Sequence, residues 1–251
     1  MLLISTFKDV STVDVLNSTS CIIFLPYCNL KCPWCQNTSI VKGEIVRYIS
    51  EDEIKEFIED VSRLVEYVQV SGGEPTLHPR TVLKIFSIAR RYGLKTSLNT
   101  NGTNPNFIRE LIKLNLLDHL AVDVKHRLED RIYWKAVGVE VPNITQHILN
   151  TIATALNSNV LVEVRTTVIP SLHTFNDIKS IVLKLNDVCY GTSNLKYVLQ
   201  QFTPPEKPFN MEFLKVPTLT VDELKRLALK LRGICGFEIY IRTISGVFKV
   251  V

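Results

Sequence analysis

No apolar run in this 251-residue chain approaches the roughly 18 residues that cross a bilayer, which excludes a membrane-spanning helix and leaves no membrane partner indicated. The opening Met1-Leu2-Leu3-Ile4 is too brief for a signal h-region and soon meets Lys8 and Asp9, so the cytoplasm is the expected location. No block of five or more like charges occurs, and the net charge is only +4. Lys and Arg are dispersed; Arg90-Arg91 and Lys125-His126-Arg127 read as solvated helix and loop ends, so nucleic acid is not indicated. Internal repeats and low-complexity tracts are lacking as well, and the one linker-like piece is Thr203-Pro-Pro-Glu-Lys-Pro208. With 46% hydrophobic and 22% charged residues there is ample material for a large core, which excludes disorder.

Also missing is a fourth cysteine beside the three in Pro26-Tyr-Cys-Asn-Leu-Lys-Cys-Pro-Trp-Cys35. Structural zinc is four-coordinate and closed, and iron–sulfur clusters are usually held by four cysteines. Three thiolates from Cys28, Cys32 and Cys35 therefore imply an iron left open to another molecule. The bland alternatives are a zinc knuckle completed by a distant His or Cys, or three unrelated thiols. The other three cysteines, Cys21, Cys189 and Cys235, stand singly in or near apolar stretches and read as core thiols. Six cysteines in a cytoplasmic chain point to metal or catalysis before disulfides.

Short β-rich runs alternate with amphipathic helical patterns from about Ser20 onward, which predicts βαβ units and a parallel sheet. The strands expected are Cys21–Leu25, Tyr67–Ser71, Lys95–Asn99, His119–Val124, Leu161–Val168 and Leu195–Gln201. Ser50-Glu-Asp-Glu53 and Thr220-Val-Asp-Glu223 read as capping boxes ahead of helices, and Gly233 as a stop. Helices are further expected over 79–92, 105–115, 142–157 and 174–186, three of them opened by Pro79, Pro105 and Pro142. Six units are fewer than the eight of a closed barrel, so the expected fold class is α/β, an open partial (β/α)6 barrel. The expected division is a β-rich N-terminal extension (1–19), a core (20–204) and a C-terminal helix with a β tail packed on it (205–251).

Chemistry in parallel α/β sheets gathers at the C-terminal strand ends, and the cysteine loop directly follows the first expected strand. Ser71-Gly-Gly-Glu-Pro75 follows the second, where Gly72 and Gly73 let the backbone approach a ligand and Glu74 can accept a hydrogen bond from an ammonium. Leu98-Asn-Thr-Asn-Gly102 ends the third and Val122-Asp-Val-Lys125 the fourth, with Asp123 and Lys125 alternating onto one face. Arg165 is a charge inside a β-branched strand, so something must pair with it: a ligand carboxylate or a core acid such as Glu163.

The C-x3-C-x2-C loop, with Trp34 before its third cysteine, resembles the cluster loop of the radical S-adenosylmethionine (SAM) enzymes. The resemblance runs from about Ser20 to Pro204 and is strongest to the anaerobic ribonucleoside-triphosphate reductase activating proteins and other glycyl-radical enzyme activating enzymes. It implies a [4Fe–4S] cluster on Cys28, Cys32 and Cys35 whose open iron is chelated by SAM. It also implies that the Gly72-Gly73-Glu74 segment holds the SAM amino group, with Trp34 packing by the adenine. Asn99, Thr100, Asp123 and Lys125 would lie beside SAM, Arg165 would bind its carboxylate, and Gln201 and Phe202 would sit by the adenine. Relative to the pyruvate formate-lyase activating enzymes, Gln36 stands for a His, Asn99 for an acid and Phe202 near an expected His, which leaves a cation site and the exact substrate open.

The implied reaction is reductive cleavage of SAM to a 5′-deoxyadenosyl radical that takes hydrogen from a backbone glycine of a partner, such as an anaerobic ribonucleotide reductase. An electron donor such as flavodoxin or ferredoxin is implied with it. A second reading keeps the chemistry and changes the substrate to a small molecule or peptide, as in the 7-carboxy-7-deazaguanine synthases. A third is a non-catalytic zinc- or cluster-binding protein.

Overall fold

Helix starts follow the local chemistry of the chain. Ser50 Oγ accepts from the Glu53 amide at 3.1 Å while the Glu53 carboxylate takes the Ser50 amide at 2.7 Å, and Thr220 with Glu223 repeats the arrangement. Two orphan amides are thereby satisfied at each start. Pro79 and Pro105 each occupy the first helical position, where no amide is needed.

The computed structural model describes residues 1–189 and 194–250; Val251, the end of the expected tail, lies outside them. Its strands are β1 (Leu2–Ile4), β2 (Thr6–Val15), β3 (Ser18–Leu25), β4 (Arg47–Ile49), β5 (Tyr67–Gly72), β6 (Lys95–Thr100), β7 (His119–Asp123), β8 (Leu161–Val168), β9 (Leu195–Gln201), β10 (Glu238–Thr243) and β11 (Gly246–Lys249). Its helices are α1 (Thr38–Val41), α2 (Glu51–Val61), α3 (Pro79–Arg91), α4 (Pro105–Lys113), α5 (Asp130–Val137), α6 (Ile144–Leu156), α7 (Phe175–Val188) and α8 (Val221–Arg232).

One nine-stranded sheet carries the fold, in the order β11-β10-β9-β8-β7-β6-β5-β3-β2, beside a small antiparallel β1–β4 pair. From β3 to β10 every neighbouring pair is parallel, whereas β2 and β11 run antiparallel at the two edges. The six expected strands are all there, and β10 adds a seventh parallel one from the tail.

Flat, β2 and β8 would lie about 24 Å apart, five strand spacings of ~4.8 Å. Yet Arg165 on β8 donates to the backbone carbonyl of Asp14 on β2, as does Gln69 on β5 at 3.3 Å. The sheet is thus curled into an open half-barrel, with the end of the β2–β3 hairpin reaching into its floor. Helices cover the outer face through side chains such as Phe86, Ile108, Ile148 and Ile181, all buried. That apolar layer leaves the inside of the curl free for polar groups.

Three helices differ from the sequence reading, the first being α1, a single unexpected turn within the loop after β3. α6 begins at Ile144, after Asn143 in the left-handed region (φ 55°), and not at Pro142. α5 was not expected: its buried Tyr133, Ala136 and Val137 are interleaved with Asp130, Arg131 and Lys135 over only eight residues, too short for a readable period.

Candidate active site

The C-terminal strand ends open on a cavity of about 340 Å³. Cys28, Cys32 and Cys35 line one wall of it with Trp34, all on the loop after β3. That loop is braced from two sides. The Lys31 amide donates to the Val137 carbonyl at 2.9 Å, at the end of α5, where Gly138 caps the helix in the left-handed region and leaves room that a Cβ, 2.6 Å from the Lys31 carbonyl, would not. On the other side Asn101 donates to Asn29 at 2.8 Å and Asn29 to Thr103 at 2.9 Å, tying the loop after β6 to the cysteines.

The segment Thr203–Val216 lies over the cysteine loop. Gln36 donates to the Thr203 carbonyl at 3.1 Å, Thr38 to that of Lys207 at 2.6 Å, and the Asn210 amide to that of Pro33 at 3.0 Å. The Trp34 and Phe213 rings meet at 5.7 Å. Trp34 and Cys32 are left only 8% exposed. Burial pushes the Cys28 thiol up to about 11 and that of Cys32 to about 12, and raises Cys35 as well. Ligation of iron needs thiolates, so loading this loop releases protons.

Beside the start of the cysteine loop, the two glycines fit where no side chain would. A Cβ on Gly73 would lie 1.8 Å from the Tyr27 carbonyl, and on Gly72, at φ +119°, 2.3 Å from that of Leu25. Asn99 donates to Ser71 at 3.1 Å, while its own side-chain oxygen is buried without a partner at the cavity. Such an atom calls for a donor from whatever the cavity takes up. Asp123 and Lys125 both face the cavity, 3.3 Å apart. Burial opposes the charge on Lys125, but Asp123 and the Cys32 sulfur raise its pKa above the ordinary lysine value, so it stays an ammonium.

Arg165 also lines the cavity, 3% exposed, and its partner is the core acid: Nε donates to Glu163 at 2.6 Å. Its Nη1 makes no hydrogen bond to the described residues and is the donor left for a ligand. Thr100 and Phe202 complete the lining among the expected residues.

Two expected residues lie elsewhere. Glu74 is fully buried and does not border the cavity; both its oxygens are taken by Thr76, Thr100 and the Asn101 amide. Gln201 points away and bridges the Leu219 carbonyl to the Ile244 amide. Strand alternation puts Gln200 and Phe202 on one face and Gln201 on the other, and Gln200 is the one at the cavity. The sequence reading missed Gln200, Asn101, Asp14 and Arg242, which line it too. Asn101 stood within the Asn-Thr-Asn-Gly run, and Arg242 is a charge in a β-rich tail, the same signal that marked Arg165.

Among the described residues no three His, Cys, Asp or Glu side chains gather around one metal ion. A cluster asks for something different: each cysteine takes its own iron, so the three thiols need only line one cavity together, as they do here. Three thiols, a glycine seat, an orphan carbonyl and a free guanidinium nitrogen fit a three-cysteine cluster with an amino-acid-like ligand on its open side.

Residues 22–183 match the family model of the Radical SAM superfamily, and the chain belongs to that superfamily. It is an enzyme of a family whose members imply a [4Fe–4S] cluster and SAM. A protein of Methanocaldococcus jannaschii, provisionally named a glycyl-radical enzyme activating enzyme, is 33% identical over 249 residues, 99% of each chain. A 7-carboxy-7-deazaguanine synthase of Koribacter versatilis is 34% identical over 105 residues, covering 40% of this chain and 41% of that protein. A radical SAM methyltransferase from Sphaerobacter thermophilus shares the fold, with TM-score 0.65 at 16% identity, over 91% of this chain and 67% of its own.

Proposed function

We propose that this enzyme installs a glycyl radical on a partner enzyme, such as an anaerobic ribonucleotide reductase, in the cytoplasm. The observation that carries the reading is the likeness to the Methanocaldococcus jannaschii protein over 99% of both chains, which takes in the loops after every strand and both terminal extensions. Likeness to the synthase of Koribacter versatilis covers 41% of that protein, which gives the small-molecule reading second place.

In this reading residues 20–204 are the radical SAM core, flanked by the β-rich 1–19 and by 205–251. Cys28, Cys32 and Cys35 hold the cluster, and the groups bound there supply one-electron cleavage of SAM when an electron arrives from a flavodoxin- or ferredoxin-like donor. The chain's own residues bind and orient. The Gly72–Gly73 backbone receives the amino group, Arg165 Nη1 meets the carboxylate, and Asn99, Thr100, Asp123 and Lys125 line the nucleoside side with Trp34 and Phe202. Thr203–Val216 and the packed Trp34–Phe213 rings keep water and oxygen from the cysteine loop.

The test mixes the reconstituted enzyme with the reductase from the same genome, SAM and dithionite under anaerobic conditions. The expected result is an oxygen-sensitive glycyl radical in the paramagnetic resonance spectrum and deuterium transfer from that glycine into 5′-deoxyadenosine. A Gly→Ala partner should give neither. Transfer from a small molecule would leave radical SAM chemistry standing and overturn the activase reading.

A further inference from the structure

Arg165 is held by Glu163 and by residues from both sides of the stretch matching the family model, Asp14 before it and, through Glu163, Arg242 after it. On one side the Asp14 carbonyl of β2 accepts from its Nη2. On the other, Glu163 Oε1 accepts from Arg165 Nε at 2.6 Å and from Arg242 Nη2 of β10 at 2.7 Å, so a single carboxylate oxygen is shared by two guanidiniums. Arg242 is fixed in turn by Gln200, which accepts from its Nη1 at 3.2 Å. The other oxygen of Glu163 faces His119 Nε2 at 3.3 Å. Both arginines border the cavity.

Stability alone does not account for the second arginine. Glu163 is 1% exposed and already has Arg165 as partner. Adding Arg242 brings a like charge beside Arg165, leaves its Nε buried without a partner, and lowers its pKa to about 10 through burial and Arg165. A costly polar arrangement of this kind is expected where function requires a fixed orientation. With Arg165 alone on its Oε1, the Glu163 carboxylate could shift and carry the guanidinium with it; with Arg242 holding the same oxygen from β10, Glu163 has one position and so has Arg165 Nη1.

We propose that Arg242 is a positioning residue that acts through Glu163 to aim the Arg165 guanidinium at the carboxylate of SAM. The inference rests on the reading of Arg165 given above and adds the residue that makes it rigid. A general packing role and this role separate in a comparison of two ligands. SAM and decarboxylated SAM differ only in the carboxylate, so the ratio of their affinities reports that contact, and contributions from iron cancel between variants.

Equilibrium dialysis on the cluster-loaded enzyme should give a ratio favouring SAM for the wild type. Arg242→Met should cut that ratio about tenfold, the order of one charge-assisted hydrogen bond, with iron content unchanged. Arg242→Lys keeps the charge without the fork and should fall between the two; it decides the matter if the Met variant does not fold. A wild-type ratio in Arg242→Lys and in folded Arg242→Met overturns the proposal. Arg165→Met is the separate control: if it too leaves the ratio unchanged, Arg165 does not meet the carboxylate and the underlying assignment fails.

Discussion

The Glu74 carboxylate accepts the Asn101 amide at 2.7 Å, with Glu74 fully buried, so the loop after β5 is bolted to the loop after β6. The other carboxylate oxygen takes the Thr76 amide at 3.0 Å and the Thr76 and Thr100 hydroxyls, each at 2.7 Å. Burial raises the Glu74 pKa and these four donors oppose it. Because Asn101 reaches on to Asn29, the carboxylate also steadies the cysteine loop.

Glu74→Ala is therefore expected to act on the fold before it acts on the ligand. It strands four donors in a dry site, a loss on the order of 3–5 kcal/mol, given ~1.5–3 kcal/mol for one hydrogen bond to a charged group and imperfect additivity. Denaturant unfolding of the variant should show that loss whether or not SAM is present. Wild-type stability with weaker SAM binding would mean that Glu74 reaches the ligand instead.

Gly73→Ala should unseat the cysteine loop. Its Cβ would stand 1.8 Å from the Tyr27 carbonyl, a backbone atom that cannot turn aside, one residue before Cys28. The variant is expected to unfold several degrees lower and to retain less iron after anaerobic reconstitution. Gly233→Ala is the matched control, since nothing lies within 4 Å of its Cβ and its φ is −66°. Its melting temperature should stay at or above that of the wild type, because the added methyl only restricts the unfolded chain.

The parts of this molecule written in local chemistry were legible. β8 and β9 carry the bounds read from their β-rich runs, and the capping residues Ser50 and Thr220 open helices where expected. Contacts set by the curl of the sheet were not. That Asp14 meets Arg165 across 151 residues depends on how far the strands coil, which no local pattern encodes. Glu74 shows the same limit on a smaller scale: the sequence names a carboxylate at a strand end, but whether it faces ligand or the neighbouring loop is decided by the turn that follows.

Cysteine substitutions should divide into two classes. Cys28→Ala, Cys32→Ala and Cys35→Ala are each expected to lose most of about four iron and four sulfide per chain, since all three line the cavity wall. Cys21, Cys189 and Cys235 do not border the cavity and should be replaceable by Ala at unchanged iron content. Iron and labile sulfide assays on the six variants decide it. Loss from one of the second group equal to loss from the first would refute the three-ligand assignment.

The last prediction concerns acid. His173 receives the Ile169 amide on Nδ1 at 3.0 Å and binds the Lys125 carbonyl through Nε2 at 3.0 Å, so it clasps the end of β7 to the loop after β8 as a neutral ring. A proton on Nδ1 would break the first of these bonds. Burial, reinforced by the neighbouring His126, pushes its pKa down from 6.5 to about 4. The folded state therefore binds this proton less readily than the unfolded chain. The stability that His173 provides is complete above pH 6.5 and drains away as pH falls toward 4, at up to about 1.4 kcal/mol per pH unit. His173→Gln removes that titration, so its unfolding free energy should fall less steeply than that of the wild type across this window. Parallel slopes would mean that acid acts through other groups, of which His119 and His126, both lowered by burial, are the first to replace in turn.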